Sequence, residues 1–399
     1  MSVKNVVEII KEYNGNCRKL KFLEVDTEDK IRFNVVTDSI ASHSLLGGVA
    51  TALILATLLC EKNDWKLRII TRTTECNPVN YTNFLRFYGL NVPQQGVEYV
   101  SDVNVINREA SRIEMMENDI FMATSWWSAK ALLESLDKKK IFYIIQEEET
   151  FFYPYGDLHL WCKDIMQDNR IDYIVNSKLL YDFLCKAGYS TLVQNGAWFE
   201  PAFSKDVYYA NEKSFEKKEK YKLFFYGRPN NPRNLFYHGL EILDKAIIEH
   251  VIDTDIWDIY MAGGACQEFQ FSNGYQPILM GQMSWEEYAE FARKVDVALC
   301  LMYTPHPSYP PFDMLSSGAV VLTNCFANKR DLSYSDNLIL KDLNLSEMVS
   351  GIDEAIKLAQ NSEKRRLNYE NNKICTDWAE AFEDILNIMS QKVERGYYV

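Results

Sequence analysis

Short apolar runs alternate with helix-like stretches along most of the chain. In the first half, each run that we predict to be a strand ends at a polar or glycine-containing turn. The predicted strands are 31–36, 67–73, 119–124, 140–145 and 171–177. Strands that alternate with helices in this way predict a mainly parallel sheet of the α/β class.

A second series of the same kind follows a polar segment, 204–221, which has no apolar period and is predicted to be a linker. Helices are predicted at 234–249, at 284–293 and near 312–317. The strands are predicted at 223–227, 258–263, 277–281, 295–302 and 319–324. We therefore predict two Rossmann-like α/β domains that face each other across a cleft, where a small ligand binds.

The ends of the chain carry helical patterns of their own. Residues 1–30 are interpreted as an N-terminal extension packed on the first domain, 31–203, and 222–362 form the second domain. The tail, 363–399, has Trp378 and Phe382 on one helical stripe. Core packing and a dimer contact both fit this stripe, so the oligomeric state is left open.

Composition narrows the choice of compartment and partners. The net charge of −13 argues against a nucleic-acid surface. The nine cysteines form no C-x-x-C pair, which suits reduced thiols and disfavours a zinc site. The opening residues lack the apolar core of a signal peptide, and the apolar segment 49–60 is too short to span a bilayer. We expect a cytoplasmic protein, with a peripheral contact at the inner face of the membrane left open.

The stretch KLFFYGRPNNPRNLFYHG reads as strand, tight turn and helix. Gly227 would let the backbone approach a ligand, while Arg228 and Arg233 would meet a phosphate beside the helix N-terminus. The alternative is an ordinary turn with two solvated arginines.

Gly47 and Gly48 precede the first long helix and lack side chains where a sugar or diphosphate would need space. Close packing of helix against sheet explains the same glycines. His43, just ahead of them, is a weaker candidate for substrate contact.

Glutamates and aromatic rings follow the strand 140–145 in QEEETFFYPYG. Glu147 and Glu149 would share one side if the strand continued, and a carboxylate there could orient or deprotonate a sugar hydroxyl. The aromatic residues that follow could stack on a sugar ring. A charged loop that covers an apolar patch is the alternative.

A Pro-rich loop, YTPHPSYPPFDMLSSGAVVLTN, leads into a short helix in the second half. Tyr309 and Asp313 would face the cleft, and Asp313 could accept hydrogen bonds from ribose hydroxyls.

Several of these motifs occur in the order found in GT-B nucleotide-sugar glycosyltransferases. IASHSLLGG, QEEETFFYPYG, YGRPNNPRNLFYHGLE, GQMSWEEYAEFAR and PHPSYPPFDML together most resemble the WsaF-type rhamnosyltransferases of bacterial surface-glycan synthesis. The likeness covers about residues 31–345. It implies that the first domain is on the acceptor side, that the second binds the donor, and that the C-terminal helix crosses back to the first domain.

The resemblance also implies roles for single residues. Arg228, Arg233 and the Gly47–Gly48 loop would face the donor diphosphate. The nucleotide and its ribose would be held by Gly281, Gln282, Met283, Tyr309 and Asp313. The chain departs from the pattern in two places, since Gln282 replaces a lysine and Pro305 replaces a glutamate.

We therefore expect a retaining glycosyltransferase that moves a deoxyhexose onto a glycan acceptor. The expected sugar is L-rhamnose and its donor is dTDP-L-rhamnose. Whether the acceptor is lipid-linked is left open. Glu147 or Glu149 would contact the acceptor. No metal or other cofactor is expected, and the motif Asp253–Thr254–Asp255 is interpreted as a helix end. The alternatives are a sugar-binding or inactive homologue, a glycosidase, and a nucleotide-sugar epimerase of the same architecture.

Overall fold

The computed structural model describes residues 3–28, 30–45, 47–102, 112–136, 141–264 and 266–396. Its contacts divide the chain into two units, Met1–Pro201 with Ala379–Val399, and Ala202–Trp378. Each unit contains one large sheet in which all strand pairs are parallel. The predicted α/β class is confirmed.

The first unit is built on a 7-stranded sheet with the order β4-β3-β2-β6-β7-β8-β9. Its central strands are buried on both faces, as expected for a parallel sheet covered by helices. The strands are β1 (Phe22–Glu24), β2 (Arg32–Thr37), β3 (Lys66–Thr71), β4 (Val97–Ser101), β5 (Ile113–Met115), β6 (Asp119–Ala123), β7 (Ile141–Ile145), β8 (Ile171–Asn176) and β9 (Gly196–Phe199). Lys140 of predicted strand 140–145, and Leu46 of the IASHSLLGG motif, lie outside the described residues.

Helices precede the strands of the first unit or connect them. They are α1 (Val6–Tyr13), α2 (Gly47–Asn63), α3 (Pro78–Phe87), α4 (Trp126–Leu133), α5 (Asp157–Ile165), α6 (Lys178–Lys186) and α7 (Ser190–Asn195). The N-terminal residues join the unit through β1, which pairs with β5, and through an ion pair of 2.9 Å between Arg18 and Asp102.

The second unit has a 6-stranded sheet with the order β12-β11-β10-β13-β14-β15. Its strands are β10 (Tyr221–Tyr226), β11 (Trp257–Ala262), β12 (Ile278–Gly281), β13 (Val297–Leu299), β14 (Val320–Asn324) and β15 (Leu338–Lys341). Its helices are α8 (Phe236–Ile248), α9 (Trp285–Ala292), α10 (Pro310–Ser316), α11 (Leu345–Gln360) and α12 (Ser362–Glu370).

Helix α8 begins later than the predicted residue 234. Pro232 opens a 3-10 turn, Pro232–Asn234, and Leu235 then adopts φ 50°, which ends that turn and separates it from the helix. The segment 204–221 lies in the second unit, where Phe215 is buried and the Lys218 ammonium pairs with Asp296 at 2.6 Å. A segment that is rich in charged residues can therefore still pack against the core.

The last helix, α13 (Trp378–Gly396), lies with the first unit from Ala379 onward. The Phe382 ring meets the Phe199 ring at 4.9 Å between centroids, and the Lys392 ammonium contacts the Asp172 carboxylate at 2.7 Å. No helix in the described parts of the chain combines the length and apolar character needed to cross a membrane.

Candidate functional site

The predicted site residues gather at the carboxyl ends of strands in both units. Because each sheet is parallel, the carboxyl ends of its strands lie along one edge of that sheet, which is the usual ligand-binding edge of an open α/β sheet. In the first unit the Gly47–Gly48 loop follows β2, and Glu147 and Glu149 follow β7. In the second unit the residues follow β10, β12 and β13, namely Arg228, Arg233, Gly281, Gln282, Met283, Tyr309 and Asp313.

The glycine loop of the first unit is tied to the loop after β7. The Gln146 side-chain amide donates to the carbonyl of Gly48, and a Cβ added at Gly48 would lie 3.3 Å from the Gln146 amide. Gly47 begins α2 with φ 48°, a conformation that favours glycine. The Gly48 position is thus explained by a contact with Gln146, a residue that the sequence motifs did not single out.

The glutamates after β7 are buried and hydrogen-bonded within the unit. The strand ends at Ile145, so the alternation expected for a continued strand does not apply. Glu149 Oε2 accepts from the Trp126 backbone N–H at 2.9 Å at the start of α4, and Glu147 Oε1 accepts from the Glu148 N–H at 3.0 Å. These carboxyl groups support the backbone around the loop, and their contact with an acceptor stays a prediction.

Burial controls the protonation of this cluster. It raises the pKa of Glu149 to about 7, against the lowering effect of the Trp126 N–H. Burial also raises the pKa of Glu148, whose carboxylate accepts from the Tyr189 hydroxyl at 2.8 Å. A carboxyl group that titrates near neutral pH can donate or accept a proton, which is the property required of a general acid or base.

Three aromatic side chains beyond the glutamates lie at the surface, whereas the Tyr153 hydroxyl accepts from the Trp126 indole N–H. Phe151 and Phe152 are about two-fifths exposed, and Tyr155 is 93% exposed. Rings exposed beside a polar loop could stack on a sugar.

Asp38 is a further carboxyl group at this edge, just after β2. The Trp127 indole N–H lies 3.0 Å from each of its carboxylate oxygens. Burial raises its pKa, while the indole and the Arg72 charge oppose the rise. No motif marks Asp38, because it stands among ordinary polar residues in TDSIASHS.

Arg228 of the second unit is exposed just beyond β10. Burial raises the pKa of the neighbouring Tyr226 phenol, and the charge and hydrogen bond of Arg228 oppose the rise. A Cβ at Gly227 would lie 2.9 Å from the Phe225 and Phe236 rings. Gly227 is therefore needed for packing at the turn that presents Arg228.

Arg233 lies in the 3-10 turn ahead of α8 and is half-buried. Its carbonyl accepts from the Tyr303 N–H at 2.8 Å, which joins the turn after β10 to the loop after β13. The guanidinium Nε donates to Asn231 Oδ1 at 3.3 Å.

Asp313 is buried within α10 and surrounded by tyrosines. The Tyr288 hydroxyl donates to Asp313 Oδ2 at 3.3 Å. Burial raises the pKa of Asp313 to about 8, while hydrogen bonds from Tyr288 and Tyr208 oppose the rise. Tyr309 precedes α10, with its ring 5.6 Å from the Phe203 ring. The predicted ribose-binding carboxyl thus lies in a phenol-rich site that no motif showed.

Gly281, Gln282 and Met283 form the turn at the end of the edge strand β12. Gly281 has φ 64°, and both it and Gln282 are exposed, whereas Met283 is half-buried. A neutral side chain therefore stands where the resembling family would have a lysine.

Two family models match the chain, one within each unit. The model of the WsaF N-terminal domain matches residues 32–178, and the model of the WsaF C-terminal domain matches residues 221–353. The O-antigen biosynthesis protein RfbC of Myxococcus xanthus is 27% identical over 260 residues, which are 64% of this chain. The match spans 20% of the length of that relative.

Solved structures resemble the chain over nearly its whole length. Sucrose-phosphate synthase from Thermosynechococcus elongatus has a TM-score of 0.60 at 11% identity, covering 91% of this chain and 98% of that one. Anabaena HepE in complex with UDP and glucose has a TM-score of 0.60 at 9% identity, with coverages of 92% and 100%. WaaG, a glycosyltransferase involved in lipopolysaccharide biosynthesis, has a TM-score of 0.57 at 11% identity, with coverages of 90% and 99%.

These identities are low, so the structural likeness shows the fold alone. The family models show the family, because together they match most of both units. The chain belongs to the WsaF-type family of GT-B glycosyltransferases.

Proposed function

We propose that the protein is a glycosyltransferase that transfers L-rhamnose from dTDP-L-rhamnose onto a bacterial surface glycan. The observation that carries the proposal is the match of both WsaF domain models, one in each unit. The name of the Myxococcus relative supports a role in surface polysaccharide synthesis, and HepE, of the same fold, was crystallised with UDP and glucose.

The chemistry assigned to the second unit is stabilisation of the leaving group. Cleavage of the bond from the anomeric carbon to the diphosphate develops negative charge on the diphosphate and positive charge on the sugar. Arg228 and Arg233 follow β10 and would supply fixed positive charge to the diphosphate. The reaction would need no metal ion and would retain the anomeric configuration.

Tyr309 and Asp313 are assigned to the nucleoside. An ionised Asp313 raises the pKa of the Tyr226 phenol, whereas the charge and hydrogen bond of Arg228 lower it. Diphosphate and ribose residues of the proposed site are therefore neighbours within one unit.

The acceptor would bind on the first unit, at the edge that carries Glu147, Glu149 and the exposed aromatic rings. We place the protein in the cytoplasm, where a peripheral contact with the membrane would bring it to a lipid-linked acceptor.

Calorimetric titration with dTDP, UDP and GDP, with and without Mg²⁺, tests the proposal. We expect dTDP to bind best and without Mg²⁺. Arg228→Ala should weaken dTDP binding about tenfold or more, since hydrogen bonds to charged groups contribute about 1.5–3 kcal/mol. The free energy of unfolding should change by less than about 0.5 kcal/mol, because the side chain is exposed.

Arg330→Ala is the matched control, because Arg330 is also an exposed arginine of the second unit, where it pairs with the exposed Asp342 at 3.2 Å. It should leave dTDP binding unchanged. If the wild type binds none of the three nucleotides, the proposal fails. The neutral, exposed Gln282 would then favour the second candidate, an inactive or sugar-binding homologue.

A further inference from the structure

His306, in the loop after β13, is buried and carries an unused hydrogen-bond donor. It is 5% exposed, and the Ser308 backbone N–H donates to its Nδ1 at 3.0 Å. Nδ1 must therefore be the acceptor nitrogen of the ring, which puts the proton on Nε2. Nε2 has no hydrogen-bond partner among the described residues.

The ring stays neutral over the physiological range. Burial, together with the charges of Lys329 and Arg233, lowers the pKa of His306 to about 3. His306 therefore offers a neutral N–H donor. A buried N–H without an acceptor is unfavourable, so its presence points to an oxygen that the protein itself does not provide.

The two cations that act on the ring are held by the same loop. Lys329 is fully buried, and its ammonium donates to the carbonyl of Met302 at 2.8 Å. The carbonyl of Arg233 accepts from the next residue of the loop, Tyr303, at 2.8 Å. A buried N–H donor on which two cations act is suited to an anionic oxygen ligand.

We propose that the Nε2–H of His306 donates a hydrogen bond to a phosphoryl oxygen of a nucleoside diphosphate, in a site that Arg233 and Lys329 complete. This inference rests on the proposed function, because it takes the substrate that donates the sugar to be a nucleoside diphosphate sugar. It assigns to Lys329 the positive charge that Gln282 does not provide.

Substitution of His306 by asparagine or by glutamine tests the two ring nitrogens one at a time. His306→Asn places an oxygen near Nδ1, which keeps the acceptor for the Ser308 N–H but removes the donor at Nε2. His306→Gln reaches further and restores an N–H near Nε2. The comparison of the two variants therefore tests the hydrogen-bond donor at Nε2 and controls for the fold of the loop.

The full-length wild type and both variants are titrated calorimetrically with dTDP and with dTMP. We expect His306→Asn to weaken dTDP binding about tenfold or more, the loss typical of a hydrogen bond to a charged group. His306→Gln should stay within about threefold of the wild type, and dTMP binding should change less than dTDP binding in both variants. Unchanged dTDP binding by His306→Asn, or equal losses for dTDP and dTMP, would overturn the inference.

A wild type that binds no nucleotide would overturn the proposed function itself, and the inference with it. If His306→Asn does not fold, the wild type labelled with ¹⁵N-histidine decides the question. The chain has five histidines, and the signal missing from His306→Gln identifies the Nε2–H of His306. Addition of dTDP must shift that signal, and an unshifted signal with dTDP bound would rule the contact out.

Discussion

Glu149→Gln should change how the stability of the first unit depends on pH. The Glu149 carboxyl is 5% exposed, and Oε2 accepts the Trp126 N–H at 2.9 Å. Glutamine has nearly the same shape and keeps an oxygen for that N–H, but it cannot ionise. The substitution therefore removes a buried charge and leaves the hydrogen bond in place.

The size of the effect follows from the pKa of Glu149, which burial raises from 4.5 to about 7. The folded state holds the proton more tightly than the unfolded state, so the unfolding free energy falls as pH rises from 4.5 to 7 and levels off above. Full ionisation costs about 3.4 kcal/mol, since one pKa unit corresponds to about 1.4 kcal/mol. About 2.5 kcal/mol of that loss falls between pH 5 and pH 8.

Urea unfolding of both proteins at pH 5, 6, 7 and 8 measures this difference, with the transition of the first unit followed separately because two units can unfold independently. The variant should gain about 2.5 kcal/mol relative to the wild type over this range. Glu117→Gln, an exposed glutamate of the same unit, is the control and should show no such gain. Parallel pH profiles for wild type and Glu149→Gln would refute the assigned cause, because they would mean that Glu149 is ionised in the folded state throughout.

Two further substitutions test the second unit. Asp313→Asn should keep dTDP affinity within about threefold at pH 6.5, because burial raises the pKa of Asp313 to about 8 and the group is mostly protonated there; a tenfold loss in calorimetry would show that an anionic carboxylate holds the nucleoside. Gly239→Ala should lower the unfolding free energy by about 1–3 kcal/mol in urea, since its Cβ would lie 2.1 Å from Phe225 Cζ. A Cβ at Gly264 would have no atom of the described residues within 4 Å apart from its chain neighbours, so Gly264→Ala should change the unfolding free energy by less than about 0.5 kcal/mol. An equal loss in both variants would contradict the packing explanation.

Sequence patterns were sufficient for the inner strands of both sheets, because buried parallel strands are apolar runs that end at glycine or polar turns. Of the edge strands they predicted β12 but not β4, β9 or β15. They were less informative where a local conformation or a distant contact decides the structure. The start of α8 depends on φ 50° at Leu235, and the inclusion of 204–221 in the second unit depends on long-range contacts such as that of Lys218 with Asp296. Neither feature has a periodic signal.

The candidate site shows the same division. Arg228 and Asp313 stand next to glycine or proline turns and belong to motifs, so sequence could mark them. Asp38 and Tyr208 stand in ordinary polar segments, and only the packing shows their place beside Trp127 and Asp313. Residues that complete a site from separate loops have no fixed spacing along the chain.

The replacement of a lysine by Gln282 is weak evidence against a binding site for a nucleotide-sugar donor, because it concerns a single exposed position. Gln282 is exposed, so a lysine in the same place would act on a ligand largely through water, which screens its charge. Lys329 is fully buried, and a charge in such surroundings is screened far less. A motif reports which residue stands at one position, whereas the potential at a phosphate depends on every nearby charge and its burial. Affinity for dTDP is therefore a better measure of donor binding than the identity of residue 282.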